Sequence, residues 1–246
     1  MDDSFDSEGL RLAAHFARPP HQARVRGLVL CHGFPSGPRG AATSGATYPE
    51  LADRIVRHCG WAVLTFNFRG TGSSEGDFSI EGWMADLRAA VAELERRRVT
   101  GVWLAGAGMG GVLAICVAAG GASIRGVATL GAYASLRDWG RDPGRFVEHV
   151  RRIGMIRDPA FPPDPAAWAR AVAELDPVAA AARIPPRPFL VLHGSADDRV
   201  PVEQARRLAR AAPGSVLQVV HAAGHRLRHD PRAVAALLGW LDRQVY

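Results

Sequence analysis

Asp197 and His225 are the residues of this chain best suited to acid–base chemistry. Asp197 stands in His193-Gly194-Ser195-Ala196-Asp197-Asp198-Arg199-Val200-Pro201, on the turn leaving an apolar run. His225 stands in Ala222-Ala223-Gly224-His225-Arg226, on a loop between the last apolar run and the last helical stretch. Taken singly, an aspartate in a turn is a cap or an Asx-turn and a loop histidine is a solvated polar group. Together, at strand ends, they read as a carboxylate that orients an imidazole, and such an imidazole is a general base at neutral pH supplying about 10² to 10⁴ in rate. The usual object of that base is a hydroxyl on a strained strand-to-helix turn, the serine of a G-x-S-x-G pattern. The segment that fits such a turn is 101–111, GVWLAGAGMGG. It reads as a strand, a glycine-lined bend and a helix start, but in Gly106-Ala107-Gly108-Met109-Gly110 the central position is a glycine.

The size of that loss bounds the chemistry. Removing the serine from a serine hydrolase costs about 10⁶ in kcat and leaves roughly 10³ to 10⁴ over water from the oxyanion hole and binding, a difference on the order of 8 kcal/mol. Folding is spared, because the bend conformation costs a side-chain-bearing residue roughly 1 to 3 kcal/mol and glycine adopts it freely. No cysteine replaces the missing group: Cys31 lies inside a strand and Cys116 two turns into a helix, and neither setting exposes a thiolate. Ser36, Ser44, Ser73 and Ser135, on strand-end loops, are the candidates for a relocated nucleophile.

Two further turns lie at strand ends, where open α/β sheets place their sites. Leu30-Cys31-His32-Gly33-Phe34-Pro35-Ser36-Gly37 runs from a strand into a glycine turn. Asn67-Phe68-Arg69-Gly70-Thr71-Gly72-Ser73-Ser74-Glu75-Gly76 has Glu75 where the third glycine of a G-x-G-x-x-G fingerprint would stand, so it shapes a turn rather than holding a dinucleotide. The chain has no lysine and therefore no phosphate-loop lysine.

The elements that must position these residues alternate. Apolar runs of strand length fall at 10–16, 27–31, 62–67, 102–106, 126–131, 188–193 and 216–220, mostly apolar on both faces as buried parallel strands are. Helical stretches fall at 49–58, 83–97, 109–119, 202–212 and 231–243. This order predicts an α/β fold with a doubly wound, mostly parallel sheet. The alternation breaks at 133–183, where Trp139, Phe146, Phe161 and Trp168 accompany the run Asp158-Pro159-Ala160-Phe161-Pro162-Pro163. That stretch is read as a short helical cap over the carboxyl edge of the sheet, within a single domain covering 1–246.

Composition narrows the function classes. The chain has 246 residues, 48% of them hydrophobic, and a formal charge of +6, ordinary for one α/β domain. All 30 basic residues are arginine and they are scattered; without a basic stripe interleaved with aromatics, nucleic-acid binding is not expected. Cys31, Cys59 and Cys116 have no metal-ligand spacing and no even disulfide set, and are expected as reduced, buried thiols. The acidic N-terminus lacks the apolar core of a signal peptide, and no apolar run reaches membrane-spanning length. The expected compartment is the cytoplasm. The expected partner is a small molecule held under the cap, with no cofactor, no metal, no membrane and no nucleic acid; assembly as a homodimer is compatible with the chain.

From about residue 10 to 243 the chain resembles the α/β-hydrolase superfamily, especially its small bacterial esterase, dienelactone-hydrolase and acyl-peptidase types. The resemblance rests on His32-Gly33-Phe34, the Asn67–Ser74 turn, the Asp197 turn with Val200-Pro201, and Gly224-His225, in the family's order of elbow, acid and histidine. It implies that Asp197 is the orienting acid and His225 the general base. It also implies that the His32-Gly33-Phe34 turn and Met109 provide the oxyanion site through the Phe34 and Met109 amides, and that Gly108 occupies the nucleophile position. Three readings follow: a protein of this fold that binds a ligand or partner without hydrolysis, an enzyme using the His225–Asp197 dyad for general-base chemistry as a lyase, isomerase or direct-water hydrolase, and an ester or thioester hydrolase disabled at its nucleophile.

Overall fold

The computed structural model describes residues 3–35, 40–121 and 123–244. Strands β1 (Asp3–Ser7), β2 (Leu10–Ala17), β3 (Gly27–Cys31), β4 (Ala62–Phe66), β5 (Val102–Ala107), β6 (Ile124–Leu130), β7 (Phe189–Gly194) and β8 (Val216–Val220) form one sheet in the order β1-β2-β4-β3-β5-β6-β7-β8. The β1–β2 and β2–β4 pairs are antiparallel and the others parallel. This is the doubly wound, mostly parallel α/β sheet that the alternation predicts.

Residue alternation along the central strands sorts side chains into two layers, since successive side chains of a strand face opposite sides. Val29 and Cys31 of β3, Leu64 and Phe66 of β4, and Leu104 of β5 pack with helices α2 (Ile80–Arg96) and α3 (Met109–Gly120). Leu28, Leu30, Val63, Trp103 and Ala105 face the other way, onto α1 (Tyr48–Cys59) and α8 (Pro231–Asp242). Helix α3, MGGVLAICVAAG, is apolar on every side and buried, as a helix enclosed by the sheet and by neighbouring helices must be. Each fully buried Leu, Ile or Phe in these layers contributes about 1.5 to 3 kcal/mol of transfer free energy.

Between β6 and β7 the chain forms α4 (Pro143–Arg152), α5 (Pro165–Ala173) and α6 (Pro177–Ala181), followed after β7 by α7 (Val202–Ala211). A repeated local signal sets the starts of α4, α5, α6 and α8. Each has Asp at the N-cap and Pro at the first helical position, in Asp142-Pro143, Asp164-Pro165, Asp176-Pro177 and Asp230-Pro231, and each Asp side chain accepts from one or two orphan amides of the first turn. Trp168 on α5 anchors this layer by donating its indole N–H to the Phe78 carbonyl at 2.9 Å.

Three features depart from the sequence reading. Residues 3–7, read only as an acidic terminus, form β1: Asp3 accepts from the Phe16 amide at 3.0 Å, and Phe5 packs on Phe66 with ring centroids 5.3 Å apart. The run at 216–220 is an edge strand rather than a buried one, with Val216 46%, Leu217 37% and Val219 39% exposed, because it ends the sheet and has a strand neighbour on one side only. Of the thiols, Cys31 is fully buried while Cys59 and Cys116 are half-buried. Burial nonetheless raises all three, Cys59 to about 12 and Cys116 to about 11, so none is a thiolate near neutral pH. No helix among the described residues is long and apolar enough to cross a membrane.

Candidate active site

The β5–α3 junction makes its bend through three glycines that have no room for anything larger. A Cβ at Gly106 would lie 2.3 Å from the Gly110 carbonyl carbon, one at Gly110 2.3 Å from the His32 carbonyl oxygen, and one at Gly111 2.9 Å from the Ala132 Cβ. The first turn of α3 is thereby pressed against the ends of β3 and β5. Gly108, at φ 51° and ψ −118°, is the residue that turns the chain, and its amide donates to the Leu130 carbonyl at 2.9 Å. Space is not what requires glycine here. A Cβ at 108 would meet His225 Nε2 at 3.6 Å and the Tyr133 ring at 3.9 Å, ordinary contacts.

His225 reaches that point from the loop after β8. Its Nδ1 bonds Asp197 Oδ2 at 2.9 Å, which makes Nδ1 the protonated ring nitrogen and leaves Nε2 directed toward Gly108 as an acceptor. Asp197 is prepared for this: its side chain is fully buried, and Oδ1 accepts the amides of Arg199 at 3.0 Å and Val200 at 2.9 Å. Burial alone would raise its carboxyl. The hydrogen bonds from His225 and from the Val200 and Arg199 amides outweigh that and hold it below the usual carboxylate range. Beneath it His193, entirely buried, donates from Nε2 to the Val200 carbonyl at 2.8 Å and lies 3.5 Å from Asp197 Oδ2. In the sequence His193 stands out only as part of a strand-end motif.

The Gly33-Phe34 turn faces the bend from β3. Neither the Phe34 nor the Met109 amide has a hydrogen-bond acceptor among the described residues, so two N–H donors border the cavity at the start of a helix, a setting that favours negative charge. His32 departs from the expectation that it borders the ligand. Its ring is fully buried behind the turn, with Nδ1–H donating to the Gly33 carbonyl at 2.8 Å and Nε2 accepting the Phe68 amide at 3.2 Å. Burial lowers it to about 4; it is a neutral strut that fixes the turn. The Asn67–Gly76 segment is likewise structural. Arg69 pairs with the buried Asp86 at 2.7 Å, and a Cβ at Gly72 would collide with the Asn67 side chain.

A cavity of about 800 Å³ joins these parts, bordered by Gly33, Phe34, Gly108, Met109 and His225 and roofed by Trp139, Phe146, His149 and Ile153 from the 133–183 segment. Phe34 ties roof to floor, its ring 4.9 Å from Trp139 and 5.5 Å from Phe78 between centroids. Of the serines, Ser44 lines the cavity with its hydroxyl donated to the Ala41 carbonyl at 3.0 Å, Ser73 and Ser135 do not line it, and Ser36 lies outside the described residues. Sequence reasoning missed Tyr133, Arg199, Arg226 and Arg228 as walls; each lies within a few residues of a β6, β7 or β8 carboxyl end, the one signal that marked them. Among the described residues no cluster of three His, Cys, Asp or Glu is placed to hold a metal ion.

Comparison with known proteins shows the family and the fold. A sequence model described as the alpha/beta hydrolase family matches residues 28–237. The quorum-quenching protein AidA of Acinetobacter baumannii (strain MDR-ZJ06) is 30% identical over 124 residues, a match spanning 46% of this chain and 38% of that protein. Est1E from Butyrivibrio proteoclasticus, solved with ferulic acid bound, is similar at a TM-score of 0.72 and 18% identity, over 98% of this chain and 96% of that one. A mutant of the meta-cleavage product hydrolase CumD from Pseudomonas fluorescens IP01 is similar at 0.70 and 17% identity, over 98% of each chain. The enol-lactonase from Burkholderia xenovorans LB400 is similar at 0.67 and 19% identity, over 97% of this chain and 99% of that one. At these identities the structural likeness establishes the fold.

Proposed function

The chain belongs to the alpha/beta hydrolase family, and from that premise we propose that it is an enzyme without a covalent nucleophile, in which His225, oriented by Asp197, acts as general base on water. The observation that carries this is the open side of Gly108: a Cβ there would stand 3.6 Å from His225 Nε2, so with glycine in place a water molecule fits within hydrogen-bond reach of that nitrogen. In the proposed reaction water attacks the carbonyl carbon of an ester or thioester as Nε2 takes its proton. The oxyanion accepts from the Phe34 and Met109 amides. Collapse of the tetrahedral intermediate expels the alkoxide or thiolate, which recovers the proton from the imidazolium, giving acid and alcohol or thiol.

Magnitudes decide how fast this can be. In a serine hydrolase stripped of its serine, the other two triad members add almost nothing to the remaining 10³ to 10⁴ or so, because the base has no positioned group to act on. Glycine differs from such a knock-out by providing the space for a positioned water, which restores a role for the base worth about 10² to 10⁴. The test is initial rates on short- and medium-chain esters and thioesters for this protein and His225→Ala. Turnover above background that His225→Ala loses is expected. Turnover at background would leave a ligand-binding protein on a hydrolase fold, and turnover undiminished in His225→Ala would place the catalysis in other groups.

A further inference from the structure

Taking the cavity beside His225 as the binding site, and so resting on the reading above, we infer that its ligand carries a negatively charged oxyacid group, a carboxylate, on an aromatic or apolar body. Three arginines line the cavity: Arg199, two residues past Asp197; Arg226, the neighbour of His225; and Arg228, two residues further. No Asp or Glu is among the described residues that line it, and Asp197 lies behind His225 with its side chain fully buried.

Some arginines of the chain are neutralised by acids, Arg69 by Asp86, Arg97 by Glu93, Arg206 by Glu203 and Arg232 by Asp230, each at 2.9 Å or less; those on the cavity are not. The guanidinium groups of Arg199 and Arg226 have neither a hydrogen bond nor an ion pair among the described residues. Arg228 is held in place by neutral groups, donating to Thr47 Oγ1 at 3.1 Å and stacking 5.4 Å from the Tyr48 ring centre. Burial raises the Tyr48 phenol and lowers the His32 imidazole, and the positive charge of Arg228 opposes the first and adds to the second. A guanidinium offers a planar fork of donors that matches a carboxylate. Phe34, Tyr133, Trp139 and Phe146 supply the apolar surface for the rest of the molecule, and a volume of about 800 Å³ holds a ligand of drug-like size. A cationic ligand would meet three like charges with no acid to offset them.

The test is a tryptophan-fluorescence titration, which Trp139 in the cavity wall makes direct, with 4-phenylbutyrate and its neutral isostere 4-phenylbutanamide as probes. The whole protein, Arg199→Gln/Arg226→Gln and His225→Ala are compared; both arginines are exposed, so the double variant keeps the fold. The carboxylate is expected to bind at least about tenfold more tightly than the amide, the preference shrinking to about twofold or less in the arginine variant and persisting in His225→Ala. Equal binding of the two probes, binding of neither, or a preference that survives the arginine change overturns the inference. The catalytic reading fails separately. Anion preference with turnover at background sinks only the general-base proposal, and His225-dependent turnover that favours neutral esters over carboxylate-bearing ones sinks only this one.

Discussion

The two sides of the cavity are equipped differently. On the Asp197–His225 side the carboxylate is fully engaged: two amides hold one oxygen, the imidazole holds the other at 2.9 Å, and His193 closes the layer beneath. On the β5–α3 side the backbone is equally well determined, with Gly106, Gly110 and Gly111 at places where a Cβ would come within 2.3 to 2.9 Å of neighbouring atoms, yet the residue at the apex offers no functional group. Gly108 and its neighbours are therefore glycine for unlike reasons. Packing dictates the neighbours. At Gly108 only the positive φ favours glycine, and a side chain would have space beside the base.

The largest expected effect breaks that asymmetry outright. Gly108→Ser places a hydroxyl between the amide donors and His225, and kcat on simple esters should rise by at least about 10³, with a ceiling near the 10⁶ or so that a serine nucleophile is worth. A fluorophosphonate should label residue 108 stoichiometrically. A folded variant with neither gain nor label would show that the base and the bend do not share one site.

Stability separates the glycines. Gly110→Ala forces a methyl onto the His32 carbonyl and is expected to lose more than about 3 kcal/mol in urea unfolding or to fail to fold, whereas Gly108→Ala, strained only by its φ, should lose about 1 to 3 kcal/mol. Equal losses would mean that packing, not function, explains Gly108.

A third prediction concerns the strut behind the turn. The neutral, buried His32 titrates at about 4 against an ordinary 6.5. Because the unfolded chain takes up this proton first, stability is full above pH 6.5 and falls as pH drops from 6.5 to about 4, by about 3 kcal/mol in all. Chemical denaturation across that window should show the slope, and His32→Gln should flatten it; a slope unchanged in that variant would place the titration elsewhere.

The smallest effect tests the other side. Asp197 is held below its ordinary value, so the stability it contributes is present above about pH 3.8 and is lost only as pH falls through its lower folded value. Asp197→Asn should remove that acid-limb slope, read by the same denaturation series. A slope that persisted would mean the His225 bond does not hold the carboxylate ionised.

Much of this was legible in the residues. Strands β3 to β7 announce themselves by continuous apolar runs, and the acid, the histidine and the glycine bend stand at carboxyl ends where open sheets place sites. What was not legible has physical causes. Strand β1 is short and polar on one face, and its apolar contribution is essentially Phe5, too little for a periodicity. The starts of α4, α5 and α6 were written in repeated Asp-Pro pairs, a capping signal easily lost among the surrounding prolines. His32 looked like a site residue because it sits at a strand end, and only three-dimensional packing shows its ring turned inward. The arginine wall could not be singled out in a chain with 30 arginines, because what distinguishes Arg199, Arg226 and Arg228 is that the fold gathers them on one cavity whose described lining holds no acid.

The central claim is that His225 works on water with no covalent intermediate, and one experiment addresses it directly: initial rates on an ester panel for the protein and His225→Ala, with the protein acid-quenched during turnover and weighed intact. The expected result is turnover that disappears in His225→Ala with the protein mass unshifted. An acyl adduct on the quenched protein, or rates indifferent to His225, would contradict it.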